Sequence, residues 1–391
     1  MKTICIGTAG CGFVAHIHAD ALKRISGINI RFKAVTGMNM AENKAFAEKY
    51  GYEKVYETFD QMIEDDEIDI IDICVPNMLH SQFIVKAANA RKNIICEKPL
   101  LGFFGDYENG ETNADYSRRA FKRVSEEIET LRKALRENHV KLMYAENWVY
   151  APAVKKAKEL IAASKGTILD IRAEESHSGS HAQYTRKRSL SGGGAMLVLG
   201  SHPVSAAIHL KNYEGMIKHG ERIHVRSVVA SMAQFNTEPV GKSGEKTFVA
   251  NDWDDVENWA TAVLTFTDGS KAVITDSFAM LGGVRNTLEI YLNNSVEKCN
   301  MTPNDTLNIY SPQQGVFDGV YLQEKLETNA GWHDINADED LTRGYPQEMQ
   351  EFMECIAFDK TPLSDFELAA ESVKAIYAAY ISAATGTAVN L

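Results

Sequence analysis

The stretch that most constrains the fold is near the amino terminus. An apolar strand pattern over residues 3–9 runs into Gly10-Cys11-Gly12-Phe13-Val14-Ala15, and a helical pattern continues through Ala19, Leu22 and Ile25. This is G-x-G-x-x-A between a strand and a helix, the context in which the spacing has a mechanical meaning. Gly10 permits a tight turn and Gly12 lets a pyrophosphate approach the backbone. Ala15 lets helix and strand pack closely, with the helix N-terminus toward the phosphates. A glycine-rich turn between any strand and helix could show the same letters, so the weight falls on the next hundred residues.

Those residues alternate between strand and helix. Arg31 to Thr36 reads as a strand, and Ala41 to Tyr50 as a helix closed by Gly51. A helix opens near Thr58 or Asp60. Ile68 to Val75 is a strongly apolar strand stopped by Pro76-Asn77, Ser81 to Ala90 is helical, and Asn93 to Cys96 is the next strand. Such alternation predicts a parallel sheet with right-handed crossovers, whose ligands sit beyond the carboxyl ends of the strands. Gly10, Thr36, Pro76-Asn77 and Lys98 all fall at those ends. The usual acid for the adenosine ribose is absent from the end of the second strand, where Gly37, Met38 and Asn39 stand. No arginine replaces it for a 2′-phosphate. Asn39 is the candidate ribose partner, NAD is the favoured cofactor and NADP the alternative.

At 391 residues the chain is too long for one ordinary core, so two domains are expected. With 41 basic and 53 acidic residues the net charge is −12, which argues against nucleic acid or an anionic membrane as the main partner. No apolar run reaches bilayer length, and no signal-peptide pattern stands at the start, so a cytoplasmic protein is expected. Cys5, Cys11, Cys74, Cys96, Cys299 and Cys355 show no paired spacing. They read as small hydrophobes in a reducing compartment, with no metal site expected.

Glu97-Lys98-Pro99 ends the strand Asn93 to Cys96. A lysine at the mouth of a buried strand is poor packing and useful chemistry, and the proline keeps Lys98 out of the helical region. Here the motifs join. Gly10-x-Gly12-x-x-Ala15 with His18, Val75-Pro76-Asn77-x-x-His80, Glu97-Lys98-Pro99, Ser191-Gly192-Gly193-Gly194-Ala195 with His202, and Gly344-Tyr345-x-x-Glu348-Met349 through Pro362-Leu363-Ser364-Asp365 together resemble the glucose-fructose oxidoreductase/inositol dehydrogenase (Gfo/Idh/MocA) family over nearly the whole chain. The resemblance implies an α/β protein. It has an N-terminal Rossmann dinucleotide-binding domain and a C-terminal α/β domain with a large, open, mostly antiparallel sheet that commonly packs into dimers or tetramers. The domains are expected at 1–149, with an insertion at 101–125 unlike a helix, and at 150–391.

The resemblance makes Lys98 and His202 the catalytic pair. The cofactor-binding set expected is Gly10, Cys11, Gly12, Phe13, Val14, Asn39, Pro76, Asn77, His80, Glu97, Lys98 and Asn147. For the substrate it is Lys98, Tyr150, His177, His181, Tyr184 and His202. In the loop Ser176 to Tyr184, His177 and His181 are four apart, but the Gly/Ser-rich setting without a carboxylate suits hydroxyl recognition better than a metal. One departure bears on mechanism: the family's Asp four residues before the histidine, on the same helix face, is Val198 here. The expected activity is NAD(P)-dependent oxidation of a secondary hydroxyl of a sugar, glycoside or cyclitol, with a glycoside 3-dehydrogenase preferred. A redox-neutral glycosidase or epimerase holding NAD tightly, and a non-catalytic dinucleotide or sugar sensor, are the alternatives.

Overall fold

The computed structural model describes residues 2–180, 182–242, 244–302 and 306–391. Contacts divide the chain into two units. Unit 1 holds the chain up to Gly102, Lys122–Tyr150 and Gly344–Ala370; unit 2 holds Phe103–Phe121, Ala151–Arg343 and Glu371–Leu391.

Unit 1 begins with β1 (Thr3–Ala9), α1 (Phe13–Leu22), β2 (Asn29–Thr36), α2 (Met40–Tyr50), β3 (Lys54–Val55), α3 (Phe59–Ile63), β4 (Ile70–Ile73), α4 (His80–Asn89) and β5 (Asn93–Glu97). After α5 (Asn113–Asn138) comes β6 (Leu142–Ala145). The six strands form one parallel sheet in the order β3-β2-β1-β4-β5-β6. Its strands β4 and β6 are short and wholly buried, the pattern of a sheet covered on both faces. The expected stops hold. Gly51 ends α2 in the left-handed region, and Thr58 and Gln61 close a reciprocal capping box at α3.

The 101–125 stretch departs from expectation. Its second half is the start of α5, opened by Thr112, whose hydroxyl accepts the Asp115 N–H at 3.2 Å. Within unit 2 the segment before it is pinned. Phe103 N donates to Tyr377 Oη at 2.6 Å, Tyr116 Oη donates to the Gly105 carbonyl, and Tyr107 stacks on Tyr116. The glycines and aromatics that masked the helix in the sequence are the packing of this segment.

Unit 2 continues with α6 (Pro152–Ser164), β7 (Ile168–Ser176), α7 (Arg188–Ser191), α8 (Ala195–Val198), α9 (Ser201–His219), β8 (Val225–Ala233), β9 (Trp259–Phe266), β10 (Lys271–Ser277), β11 (Arg285–Leu292), β12 (Val296–Thr302), β13 (Leu307–Ser311), β14 (Gly331–Ile335) and α10 (Glu339–Arg343). Then come α11 (Tyr345–Ala357) in unit 1, α12 (Phe366–Thr385), and β15 (Val389–Asn390) in unit 2. The large sheet runs β12-β11-β7-β10-β9-β8-β15; β7 and β10 are parallel and every other pair antiparallel. Its central strands alternate buried and half-buried residues, so one face is core. α9 packs over β7 and β10.

The helical run expected from Ala195 to Leu210 is broken at Leu199-Gly200. Val198 ends one short helix and His202 sits in the first turn of the next, with Leu199 and Gly200 between them still in right-handed helical backbone. Among the described residues no helix is long and apolar enough to cross a membrane.

Candidate functional site

Parallel strands in one sheet put all their carboxyl ends at one edge. In unit 1 that edge carries Gly10, Gly37 to Asn39, Pro76-Asn77, Lys98 and Asn147. Gly10 has φ +95, and a Cβ there would stand 2.5 Å from the Cys74 carbonyl oxygen, so the turn needs glycine. Gly12 differs: its φ is −78, and nothing lies within 4 Å of where a Cβ would be. It is the N-cap of α1 with no side chain closing the helix. Open space before uncapped helix amides is the cradle a pyrophosphate needs, so the residues fit a dinucleotide. Cys11 and Val14 pack against the Ala15–Phe46–Cys74 core cluster, and Phe13 is exposed. Asn39 is occupied as the N-cap of α2: its Oδ1 accepts from Ala41 N and its Nδ2 donates to Glu42. Asn77 and Asn147 are buried.

Lys98 is partly buried and its anchor is built beneath it. Glu97 Oε2 accepts the Lys98 N–H at 3.0 Å. The other oxygen of Glu97 lies 3.1 Å from Nε2 of His18, whose Nδ1 lies 3.0 Å from Asp72 Oδ1. His18, Asp72 and Glu97 are all buried. His80 holds the loop from the other side, with Nε2 2.9 Å from the Val75 carbonyl oxygen and Nδ1 3.0 Å from that of Pro99. Burial disfavours the charge on His18, but the Asp72 carboxylate, with Cys74 helping, outweighs it and lifts the imidazole pKa well above its ordinary value. His18, Asp72 and Cys74 present atoms within 4.8 Å of one another. With both imidazole nitrogens already facing carboxylates, the cluster is a hydrogen-bonded charge network. Buried Glu348 has its pKa raised well above the usual range, by burial first and by Glu97 and Asp72 against the opposing pull of His18.

These shifts carry a sign. The folded values of His18 and Glu348 both lie above the unfolded ones, about 6.5 and 4.3, so the folded state holds more protons. The His18 contribution is complete below its unfolded pKa and is lost as pH rises through its folded one. The thermal midpoint is therefore expected to fall as pH rises above about 6.5, and His18→Gln to flatten that limb. Melting curves across the alkaline range check this; an unchanged slope in the variant contradicts it.

The residues expected to meet substrate fall in both units. His202 is buried in unit 2, with Nε2 3.8 Å from Glu175 Oε2. His177 is buried beside the Phe278 ring, its Nδ1 accepting from Gly179 N at 3.1 Å. Tyr184 is 40% exposed. His181 lies outside the described residues. Tyr150 is buried in unit 1, where its hydroxyl donates to Glu351 at 3.1 Å and accepts from Ser364 N at 3.0 Å. Of the glycines before α8, Gly192 ends α7 in the left-handed region, and Gly194 is required by crowding: a Cβ there would stand 1.9 Å from the Glu257 carbonyl oxygen.

The N-terminal part, residues 4–128, matches the family model described as "Oxidoreductase family, NAD-binding Rossmann fold", and residues 154–295 match "GFO/IDH/MocA C-terminal domain". The chain belongs to the GFO/IDH/MocA oxidoreductase family. Its N-terminal unit is thus an NAD-binding Rossmann domain. Levoglucosan dehydrogenase of Pseudarthrobacter phenanthrenivorans is 26% identical over 223 residues, 54% of this chain and 52% of that one. The chain therefore spans about half the length of that curated relative. For the myo-inositol 2-dehydrogenase of Thermotoga maritima, 34% identical over 95 residues, the match covers 24% of this chain and 28% of the relative. D-xylose 1-dehydrogenase (NADP(+)) 2 of Haloferax volcanii is 23% identical over 388 residues, 99% of this chain and 98% of that one. Among solved structures, GenD2 from gentamicin A biosynthesis in complex with NAD superposes with a TM-score of 0.80 at 22% identity, covering 100% of this chain and 97% of that one. Levoglucosan dehydrogenase with NADH and levoglucosan gives a TM-score of 0.73 at 21% identity, covering 100% and 99%. The chain shares the fold of these two proteins.

Sequence reasoning missed three acids, Asp72, Glu175 and Asp276. Each stands at a buried position of a strand. That misplacement was the available signal.

Proposed function

We propose that the protein is an NAD-dependent dehydrogenase that oxidises a secondary hydroxyl of a sugar, glycoside or cyclitol, a glycoside at carbon 3 being the preferred class. The observation that carries the reading is the anchoring of Lys98. A lysine is fixed at the carboxyl edge of a dinucleotide-binding sheet by a buried carboxylate on one side and His80 on the other. Such a lysine is set to stabilise negative charge on a reacting oxygen. His202 takes the hydroxyl proton as general base, and Lys98 holds the alkoxide that develops and lowers its proton affinity. NAD, when bound, supplies the hydride acceptor. Gly10 to Val14 would hold its pyrophosphate, with Asn77, Asn147 and the Lys98 loop along the rest of the edge. The levoglucosan, inositol and xylose dehydrogenases among its relatives support a polyol substrate. We assign the cofactor domain to 1–149 and the substrate domain to 150–391, although contacts group Phe103–Phe121 with the second unit and Tyr150 and Gly344–Ala370 with the first. Apolar side chains exposed on β7, β8 and β12 (Leu169, Val229, Val296) support association of copies into a dimer or tetramer.

The test is a panel of glycosides, free sugars, anhydrosugars and cyclitols, each with NAD and with NADP, read by NADH fluorescence. Turnover with a polyol, faster with NAD, is expected because no arginine stands at Gly37 to Asn39 for a 2′-phosphate. Failure of every polyol with either cofactor, while NAD binds, overturns the reading.

A further inference from the structure

In unit 2 the apolar stripes of three adjacent strands end in polar residues. The buried positions run Ala272, Ile274, Asp276 in β10 and Ile171, Ala173, Glu175 in β7. In β11 they run from Asn286 to Leu288 and Ile290. Register pairs Asp276 with Glu175 and Glu175 with Asn286. Directly opposed residues project from the same face, so two carboxyls and an amide form one row under α9. None of the three is more than 3% exposed.

His202, in the first turn of α9, meets this row. Its Nε2 is 3.8 Å from Glu175 Oε2, with the two side chains 3% and 5% exposed. That distance is long for a hydrogen bond and suits an ion pair with an imidazolium. Asp276 lies against the start of the same helix, where a Cβ on Gly200 would stand 2.7 Å from its Oδ2. Neither oxygen of Asp276 has a hydrogen-bond partner among the described residues. Two buried carboxylates side by side are costly unless one is neutral. Burial above all, then the charges of Glu175, Glu174 and Glu257, hold the Asp276 pKa well above the usual range, so Asp276 is the neutral member. Glu175 is the acid turned to the histidine. Among the described residues, the titratable and charged groups at this end of the elements around α9 include Glu174 and Glu175 on β7, His177 just after it, Asp276 on β10, Glu257 just before β9, and Arg285 on β11, which pairs with Glu174 at 3.1 Å.

Val198 cannot serve in this way. It packs on the apolar cluster of Ala195, Leu199, Trp253, Val256 and Phe278. We propose that Glu175 is the positioning carboxylate for His202, taking over from another element of the fold the part that the resemblance gives to an acid at position 198. The inference rests on His202 being the base. When the hydroxyl O–H breaks, its proton goes to the imidazole; the electron pair left on oxygen becomes the second carbon–oxygen bond as the carbinol C–H bond breaks and its hydride leaves to the NAD that would be bound. The positive charge left on His202 then faces Glu175, so the base is stronger than burial alone would leave it.

The test does not need a known substrate. The full chain, carrying ¹³C-labelled histidine and saturated with NAD, is titrated by NMR, and the His202 signal is assigned by its loss in His202→Gln. We expect His202 to titrate above the ordinary value of about 6.5 despite burial. In Glu175→Gln the value should fall by about one unit or more, and in Glu175→Asp most of the elevation should return. A His202 that titrates below about 6.5 in the unaltered protein overturns the proposal even if neither Glu175 variant folds. So does a value unchanged in Glu175→Gln. Failure of the dehydrogenase reading would show separately, as NAD binding without turnover of any polyol and with these titrations intact.

Discussion

Lys98→Met is expected to abolish turnover while leaving NAD affinity and the thermal midpoint close to those of the unaltered protein. Methionine matches the length of the lysine stem and keeps its apolar packing, so the change removes the ammonium and little else. The anchor survives, because Glu97 binds the backbone N–H at residue 98 rather than the side chain, and His80 holds carbonyls on either side. What is lost is the positive charge that stabilises the developing alkoxide. Removal of one such donor costs about 10²–10³ in turnover, and loss of general acid–base assistance adds to this. We therefore expect a fall of about 10³ or more in kcat. NAD titration by fluorescence quenching and a melting curve separate this from unfolding. Activity within a few-fold of normal would remove Lys98 from the chemistry.

The second large effect comes from the paired glycines of the first turn, which should fail in different ways. Gly10→Ala puts a Cβ 2.5 Å from the Cys74 carbonyl oxygen and 3.1 Å from Val75 N, at a φ of +95. The atoms it meets are backbone and cannot swing aside. Strain at such a φ costs about 1–3 kcal/mol and overpacking about as much again, so the unit should be destabilised by about 2–6 kcal/mol. Gly12→Ala has an ordinary φ and meets nothing within 4 Å. It should fold and melt normally, yet lose NAD affinity by tenfold or more, because its methyl occupies the space the pyrophosphate needs. Calorimetry for stability and fluorescence for NAD distinguish the two. Equal melting of both variants, or normal NAD affinity in Gly12→Ala, would contradict the cradle.

Local signals made unit 1 legible. The strands and helices alternate with their own stops, and each glycine or cap acts within a few residues of where it stands. Thr58, Gly51 and Gly10 do in the structure what their chemistry predicts. The segment from 101 to 125 was not legible, because its aromatics are explained by long-range partners such as Tyr377. The site was half legible. Lys98 announces itself at a strand end, but its support by Glu97, His18 and Asp72 joins residues from three elements, which no local pattern displays. The acid near His202 was sought four residues upstream on one helix. The helix breaks between them, and the charge comes instead from β7, where Glu175 breaks an apolar alternation. Asp276 and Asn286 break the alternation of their own strands in the same way. Three neighbouring strands each ending an apolar stripe in a polar residue is a readable pattern once the register is known. A carboxylate beside His202 also weakens the case for a non-catalytic sensor, which rested on Val198 alone.

Net dehydrogenation is tested most directly by tracking one hydrogen. A polyol turned over in the panel is prepared with deuterium at the carbon to be oxidised and reacted with the enzyme and NAD, and both products are examined by NMR. Hydride transfer to the cofactor predicts deuterium at C4 of the nicotinamide ring of released NADH and a ketone at the former carbinol carbon. Deuterium that stays with the sugar, or returns to it with no NADH released, would contradict a net dehydrogenase and point to a redox-neutral cycle.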